Sequence, residues 1–118
     1  MAVVLIIDDA AFSRRMLRKY LQADGYEILE AANGKEGWEM IKSHQPGCIL
    51  TDLLMPEVNG FELLKQIQQE GLKIPAIIIS ADIQDSSRQQ GMALGAVSFI
   101  NKPAKEDDVR QAVRQILE

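Results

Sequence analysis

The sequence predicts an α/β domain in which a parallel β-sheet carries helices on both faces. Short continuous apolar runs alternate with amphipathic helical patterns, as expected for buried strands joined by crossover helices. The apparent strand ends fall near residues 7, 31, 52, 79 and 100, so each step of 21 to 27 residues holds a strand, a helix and two short loops. The chain has 118 residues, which is enough for one domain with a single core.

Five short apolar runs are the predicted strands, at residues 3–7, 26–31, 48–51, 75–79 and 96–100. The first run is continuous and β-branched, which is typical of a strand buried on both faces. The fourth begins with Pro75, which a strand tolerates at its first position because proline has no N–H to donate. The third ends directly before Asp52, so a carboxylate follows a buried strand.

The segments that follow these runs are the predicted helices, at residues 12–24, 33–44, 59–71, 85–94 and 109–117. Asn33 with Glu36, and Asn59 with Glu62, have the spacing of a capping box at the start of a helix. The fourth helix is the weakest because it contains Gly91 and few apolar residues. The last helix has apolar residues at every position of one helical face, so it is expected to pack on the sheet.

Composition and charge exclude several classes of protein. With 13 Lys and Arg residues against 17 Asp and Glu, the net charge is −4, which gives no general support for a nucleic-acid-binding surface. One cysteine excludes an intramolecular disulfide, and one histidine excludes a multi-histidine metal site. The run at 3–7 is too short to span a membrane and lacks the flanks of a secretory signal. We therefore expect a cytoplasmic protein that binds neither nucleic acid nor membrane.

Polar residues follow four of the five predicted strands. In order along the chain they are Asp8 and Asp9, Asp52, Ser80, and Lys102. Ligands of open α/β sheets bind at the carboxyl ends of the strands, and those ends lie at one edge of a parallel sheet. We therefore expect three carboxylates, one hydroxyl and one ammonium group to share a small site.

Such a cluster of carboxylates needs a cation. Two carboxylates about 4 Å apart repel each other by roughly 4 kcal/mol at an effective dielectric constant near 20. A divalent cation would neutralise three carboxylates and one ammonium, and a site with few oxygen ligands suits Mg²⁺. A carboxylate can attack phosphorus, so Asp52 is the expected nucleophile, with Lys102 and Ser80 contacting the phosphoryl oxygens. Residues 53–60 are expected to wrap the site, with Gly60 in an unusual backbone conformation.

Taken in order, these pieces resemble the motif set of the response-regulator receiver domain. The resemblance covers essentially the whole chain and rests on Asp8-Asp9, Asp52 with Met55-Pro56 and Gly60, Ser80-Ala81, and Lys102-Pro103. It implies a doubly wound flavodoxin-like, CheY-like (βα)5 fold with strand order 2-1-3-4-5. It also implies a single receiver domain over 1–118 with no effector domain, which acts as a signalling switch of a two-component system and not as an enzyme.

The resemblance further implies a role for each residue of the site. Asp52 would be the phosphoacceptor, with a sensor histidine kinase or a histidine phosphotransfer protein as the donor. The Mg²⁺ ligands would be Asp8, Asp9, Asp52 and the backbone carbonyl of Leu54. Lys102 would contact the phosphoryl group.

Other positions match the part of the family motif that transmits the signal. Ser80 would be the switch hydroxyl, and Phe99 the switch aromatic that turns inward when Ser80 moves. A downstream protein would then bind the face formed by the fourth helix, the fifth strand and the fifth helix. Pro103 matches a proline whose preceding peptide bond is usually cis. The remaining matched loop positions are Pro56, Gly60 and Ala81.

The chain departs from the common family pattern at two positions. Phe99 lacks the hydroxyl of the frequent tyrosine, and Leu54 is apolar where many members are polar. We hypothesise that Leu54 shields the acyl phosphate from water while Asp82, two residues past Ser80, helps to orient it.

The first helix is locally basic and forms either a solvated face or a docking surface for the phosphodonor, through Arg14, Arg15, Arg18 and Lys19.

Three other functions stay open at this point. A receiver-like interaction module that is not phosphorylated would not need the intact acids and Lys102. An aspartate-nucleophile phosphohydrolase would need a second aspartate two residues past the nucleophile, where this chain has Leu54. A flavin carrier of the same topology would need a loop that accepts phosphate after the first strand, where Asp8 and Asp9 would repel it.

Overall fold

Five parallel strands form one sheet at the centre of the molecule, in a computed structural model that describes residues 2–82 and 84–118. The strands are β1 (Val3–Ile7), β2 (Glu27–Ala31), β3 (Cys48–Thr51), β4 (Ala76–Ser80) and β5 (Ala96–Asn101). Their order across the sheet is β2-β1-β3-β4-β5, and every neighbouring pair is parallel. The predicted fold class and the strand order implied by the resemblance are both confirmed.

A helix follows each strand: α1 (Ala11–Gln22), α2 (Gly34–His44), α3 (Gly60–Gln69), α4 (Asp85–Ala93) and α5 (Glu106–Leu117). Predicted strand and helix boundaries differ from the observed ones by no more than two residues, except that α5 begins three residues before its predicted start at Val109. The first helix, for example, was expected to reach Asp24, but the chain turns at Gly25, where φ is +85°. This left-handed conformation is accessible to glycine because it has no Cβ.

The sheet separates two apolar cores, because successive side chains of a strand point to opposite faces. In β1, Val4 and Ile6 face the core under α1 and α5, whereas Leu5 and Ile7 face the core under α2 and α3. All four side chains are fully buried, which explains why the run is continuously apolar. None of the helices in the described part of the chain is long and apolar enough to cross a membrane.

Helix α4 is attached to the sheet by very little apolar surface. Gly91 is its only buried residue. A Cβ at Gly91 would lie 2.5 Å from the Cδ1 atom of Ile78 on β4, so this glycine lets the helix approach the sheet closely. The weak apolar pattern predicted for this helix is therefore confirmed.

The start of α3 has the predicted capping box, in which Asn59 and Glu62 each accept a backbone N–H of the other. At α2 the arrangement differs in one contact. The Asn33 side chain accepts the Glu36 N–H at 2.8 Å, but the Glu36 carboxylate accepts the N–H of Ala32 in place of the Asn33 backbone N–H. Both helices nevertheless begin where the sequence predicts.

Candidate functional site

The register of β1, β3, β4 and β5 brings the predicted site residues to one edge of the sheet. Ile7 of β1 pairs with Thr51 of β3, and the Asp52 N–H donates to the Ile7 carbonyl at 3.0 Å. Asp8 and Asp52, the next residues along the two strands, are therefore neighbours. On the far side, Ser80 pairs with Asn101, so Lys102 emerges from β5 at the same edge.

Asp52 is a buried residue at this edge of the sheet, with only 8% of its surface exposed. Its Oδ1 atom accepts the backbone N–H groups of Leu53 at 2.7 Å and Leu54 at 3.4 Å. Its Oδ2 atom accepts the Lys102 ammonium at 2.8 Å. These three hydrogen bonds fix the direction of the carboxylate.

Asp8 is even more deeply buried, at 1% exposure, and its polar groups are satisfied by neighbouring elements. Its N–H donates to the Ala31 carbonyl of β2 at 3.1 Å. Its Oδ1 atom accepts the Ala10 N–H at 2.9 Å, and its Oδ2 atom accepts the Lys102 ammonium at 2.9 Å. A buried carboxylate is tolerated here because every one of these groups has a partner.

Lys102 joins the two buried carboxylates through a single Nζ atom. Burial by itself would lower the pKa of this ammonium, but the hydrogen bonds and charges of Asp52 and Asp8 outweigh burial and raise the pKa above its ordinary value. Lys102 is therefore a fixed positive charge at neutral pH. It is placed to meet negative charge that develops on a group attached to Asp52.

One carboxylate oxygen from each of Asp8, Asp9 and Asp52 lies within 4.8 Å of the other two. Asp9 is exposed, whereas the other two are buried. With Lys102 the four side chains carry three negative charges and one positive, so a divalent cation would balance them. Carboxylate oxygens suit a hard cation such as Mg²⁺, which retains waters in its remaining positions. The donor set therefore fits this ion.

The loop between β3 and α3 closes one side of the site. Leu54 is 66% exposed and stands at the rim, whereas Met55 is buried and anchors the loop in the core. The expectation that Gly60 has an unusual backbone conformation is wrong, since the left-handed residue of this loop is Glu57, with φ +67°. Gly60 is needed for another reason: a Cβ there would lie 2.5 Å from the Asp52 carbonyl oxygen.

Ser80 is fully buried at the end of β4, and its hydroxyl oxygen accepts the Asp82 N–H at 3.1 Å. The Asp82 carboxylate does not point back toward Ser80. It accepts the Gln84 N–H at 2.9 Å and the Ser87 hydroxyl at 2.5 Å, and these contacts hold the pKa of Asp82 below its ordinary value, Ser87 contributing most. Asp82 thus joins Ser80 to the first turn of α4.

The remaining predicted positions flank this edge. Phe99 is already buried in the core, with 8% exposure, so its burial does not require movement of Ser80. The peptide bond before Pro103 is cis, as the resemblance implies. Ala81 and Pro103 line an apolar cleft of about 400 Å³ against α1, next to Lys102. Pro56 lies in the exposed part of the loop after β3.

Arg14 also lies at this edge of the sheet, and the sequence does not indicate that it contacts the site. The sequence indicates only that Arg14 belongs to a basic helix, but its Nη1 atom donates to the Asp8 carbonyl at 2.7 Å. Arg14 and Arg18 both form ion pairs with Glu30 of β2. Glu30 therefore offsets one of the four positive charges on α1 and engages two of the side chains, whereas Arg15 and Lys19 are the exposed members of the group. No spacing rule relates Arg14 to Asp8, so sequence reasoning had no signal for this contact.

Comparison with known proteins gives consistent results. The model of the response regulator receiver domain matches residues 4–114. Chemotaxis protein CheY of Bacillus subtilis (strain 168) is 38% identical over 115 residues, which are 97% of this chain and 96% of that protein. Response regulator GtcR of Aneurinibacillus migulanus is 38% identical over 100 residues, which are 85% of this chain but 41% of that protein.

Among solved structures, Vibrio cholerae chemotaxis protein CheY4 superposes with a TM-score of 0.91 and 28% identity, covering 99% of both chains. The family match extends over nearly all of the sequence, and both relatives are similar over most of this chain. The sheet order and the sheet-edge cluster of acids with a lysine agree with that assignment. The chain belongs to the response regulator receiver domain family of two-component signalling.

Proposed function

We propose that Asp52 accepts a phosphoryl group from the phosphohistidine of a sensor kinase or a histidine phosphotransfer protein, in a reaction that requires Mg²⁺. The observation that carries this proposal is the position of the Asp52 carboxylate. It is held by two backbone N–H groups and by Lys102, and it lies beside two further acids at the open edge of the sheet. Phosphoryl transfer depends chiefly on such positioning and charge stabilisation.

Mg²⁺ would be held by the carboxylates of Asp8, Asp9 and Asp52, together with the backbone carbonyl of Leu54. When bound, it supplies positive charge that attracts the phosphoryl oxygens and offsets the charge that develops on them. Asp9 is the exposed member of the set, so it is the acid that most readily reaches a partly hydrated ion. Lys102 already occupies one oxygen each of Asp8 and Asp52.

In the transfer, a carboxylate oxygen of Asp52 forms a bond to phosphorus while the bond between phosphorus and the histidine nitrogen breaks. The imidazole leaves with the electron pair of that bond and takes up a proton. Lys102 meets the negative charge on the phosphoryl oxygens, and the Ser80 hydroxyl donates to one of them after it turns from the Asp82 N–H. The low exposure of Asp52 limits the access of water to the acyl phosphate.

The signal would leave the site through Asp82. Movement of Ser80 toward the phosphoryl group breaks its contact with the Asp82 N–H, and Asp82 is bonded to the first turn of α4 and, through its carbonyl, to Asn101 of β5. Helix α4 responds at low cost because so little apolar surface holds it. A shift of this helix changes the surface that a partner meets.

The output surface is the face formed by α4, β5 and α5. A cleft of about 590 Å³ lies there between β5 and α5, with Ser98 and Asn101 on one side and Asp108 and Gln111 on the other. Val97 of β5 and Met92 of α4 are exposed apolar side chains beside this face. We propose that a downstream protein binds this face with an affinity that depends on the modification of Asp52.

Incubation with acetyl phosphate tests the proposal, since this small donor needs no cognate kinase. The mass of the intact protein should rise by one phosphoryl group when Mg²⁺ is present and should not change in EDTA. Asp52→Asn should stay unmodified, whereas the exposed control Asp107→Asn should be modified like the wild type. An unmodified wild-type protein would favour an interaction module without phosphorylation, and turnover of an external phosphoester would favour a hydrolase.

A further inference from the structure

Arg14 has its guanidinium held at two points between α1 and the sheet. The Nη1 atom donates to the Asp8 carbonyl at 2.7 Å, and the Nε atom donates to the Glu30 carboxylate at 3.3 Å. Only 19% of the side chain is exposed. Glu30 belongs to β2, so Arg14 is oriented from the sheet side. A planar guanidinium can make both contacts at once, which a lysine ammonium on its flexible stem does less well.

The carbonyl that Arg14 binds belongs to the peptide unit between Asp8 and Asp9. The other polar groups of Asp8 are engaged by Ala31, Ala10 and Lys102, so the position of Asp8 itself is well determined. Asp9 is the exposed acid of the cluster. The orientation of the peptide before Asp9 determines where the Asp9 carboxylate lies relative to the buried carboxylates of Asp8 and Asp52.

We propose that Arg14, oriented by Glu30, is a positioning residue that holds the peptide between Asp8 and Asp9 so that Asp9 can bind a divalent cation. This inference rests on the proposed function, because it takes the three acids to be the Mg²⁺ site. Arg14 does not touch the cation and acts through the backbone. Residues that orient metal ligands in this way commonly change metal affinity by 10- to 100-fold when they are replaced.

Positioning and simple charge predict opposite effects of replacing Arg14. Loss of a positive charge near an acidic cluster strengthens the binding of a cation if only the charge matters. Loss of the hydrogen bond to the Asp8 carbonyl frees the peptide and weakens binding if Arg14 positions Asp9. The direction of the change therefore decides between the two explanations.

The test is a calorimetric titration of the full chain with MgCl₂, with no phosphodonor present. Arg14→Met should bind Mg²⁺ about 10-fold more weakly than the wild type. The matched control, Arg15→Met, removes the same charge from an exposed neighbour and should bind as tightly as the wild type or slightly more tightly. Arg14→Met that binds as tightly as the wild type, or more tightly, would overturn the proposal.

A double-variant comparison separates positioning from a general loss of structure. In the Asp9→Asn background, Arg14→Met should have little further effect on Mg²⁺ affinity, because the ligand that Arg14 positions has already been removed. An equal loss in both backgrounds would contradict the inference. If Arg14→Met does not fold, Arg14→Lys, which keeps the charge, can be titrated with Mg²⁺ in its place. Weaker Mg²⁺ binding by Arg14→Lys than by the wild type supports positioning, and wild-type affinity contradicts it.

These outcomes are distinct from failure of the proposed function. If the wild-type chain does not bind Mg²⁺, the assignment of the three acids as its site is wrong, and with it the inference about Arg14. If the wild type binds Mg²⁺ and is modified on Asp52, but Arg14→Met binds Mg²⁺ equally well, only the inference fails.

Discussion

In buffer without Mg²⁺, replacing Asp9 by asparagine is expected to stabilise the protein. Asp9 lies within 4.8 Å of both Asp8 and Asp52, measured between carboxylate oxygens. Two unit charges at that distance repel by about 0.9 kcal/mol at the dielectric constant of water and about 3.5 kcal/mol at an effective value of 20. Attraction between Asp9 and the Lys102 ammonium cancels about one of these two repulsions, so the repulsion of about one pair of charges remains. Because Asp9 is exposed, the value for water applies, and Asp9→Asn should gain about 1 kcal/mol.

Thermal unfolding followed by circular dichroism measures this effect. In EDTA, a gain of about 1 kcal/mol raises the Tm of a domain of this size by about 4 °C. In MgCl₂ the order should reverse, because the wild type keeps all three acids and binds the ion more tightly. A ligand at 100 times its Kd adds about 2.7 kcal/mol of stability, which exceeds the repulsion that it neutralises.

The control for net charge is Asp107→Asn. Asp107 is exposed in the first turn of α5, so this variant makes the same change of charge far from the cluster and loses a favourable interaction with the helix N-terminus. Its Tm should fall slightly in both buffers. The reasoning is refuted if Asp9→Asn unfolds at or below the wild-type Tm in EDTA, or if Asp107→Asn shows the same gain.

Three further predictions concern the packing of the site and the titration of two side chains. Gly60→Ala should lower the free energy of unfolding by about 1–3 kcal/mol in a urea titration, because its Cβ would lie 2.5 Å from the Asp52 carbonyl oxygen; an unchanged midpoint would contradict this. The hydrogen bonds from Arg110 hold the pKa of Asp24 below its ordinary value of 3.8. Its stabilising contribution is therefore complete above about pH 4 and is lost as the pH falls through the lowered pKa, so Asp24→Asn should reduce the fall of Tm on acidification. Burial raises the pKa of the Cys48 thiol to about 12, so a thiol reagent at about pH 8 should label this residue only after urea unfolds the chain.

The positions of the strands and helices could be predicted closely from the sequence because their signals are local. A strand buried on both faces must be apolar along its whole length, as β1 is. The capping box of Asn59 and Glu62 marks the first turn of α3 because both contacts lie within four residues. The predictions were less accurate at turns such as Gly25, where the end of α1 depends on how the chain crosses to β2.

The site was only partly predictable. The residues that meet at the sheet edge were identified because each follows a strand, and parallel topology brings those ends together. The contacts that orient them could not be identified in this way, because they join elements that are far apart along the chain. Arg14 reaches the Asp8 carbonyl from α1, and Glu30 orients it from β2. The reason for a glycine at position 60 was also wrong, since the constraint is the proximity of the Asp52 carbonyl and not a backbone angle.

The sequence by itself determined the fold class, the five strand–helix units and the chemical types of residue that follow each strand, because apolar periodicity and the alternation of strand and helix patterns are read over short stretches of the chain. Only the tertiary structure decided the separations between the three acids, the double attachment of Lys102, and the connection from Ser80 through Asp82 to α4. Those features depend on strand register and on helices packed from distant segments, and distances between such segments are set by packing rather than by spacing along the chain.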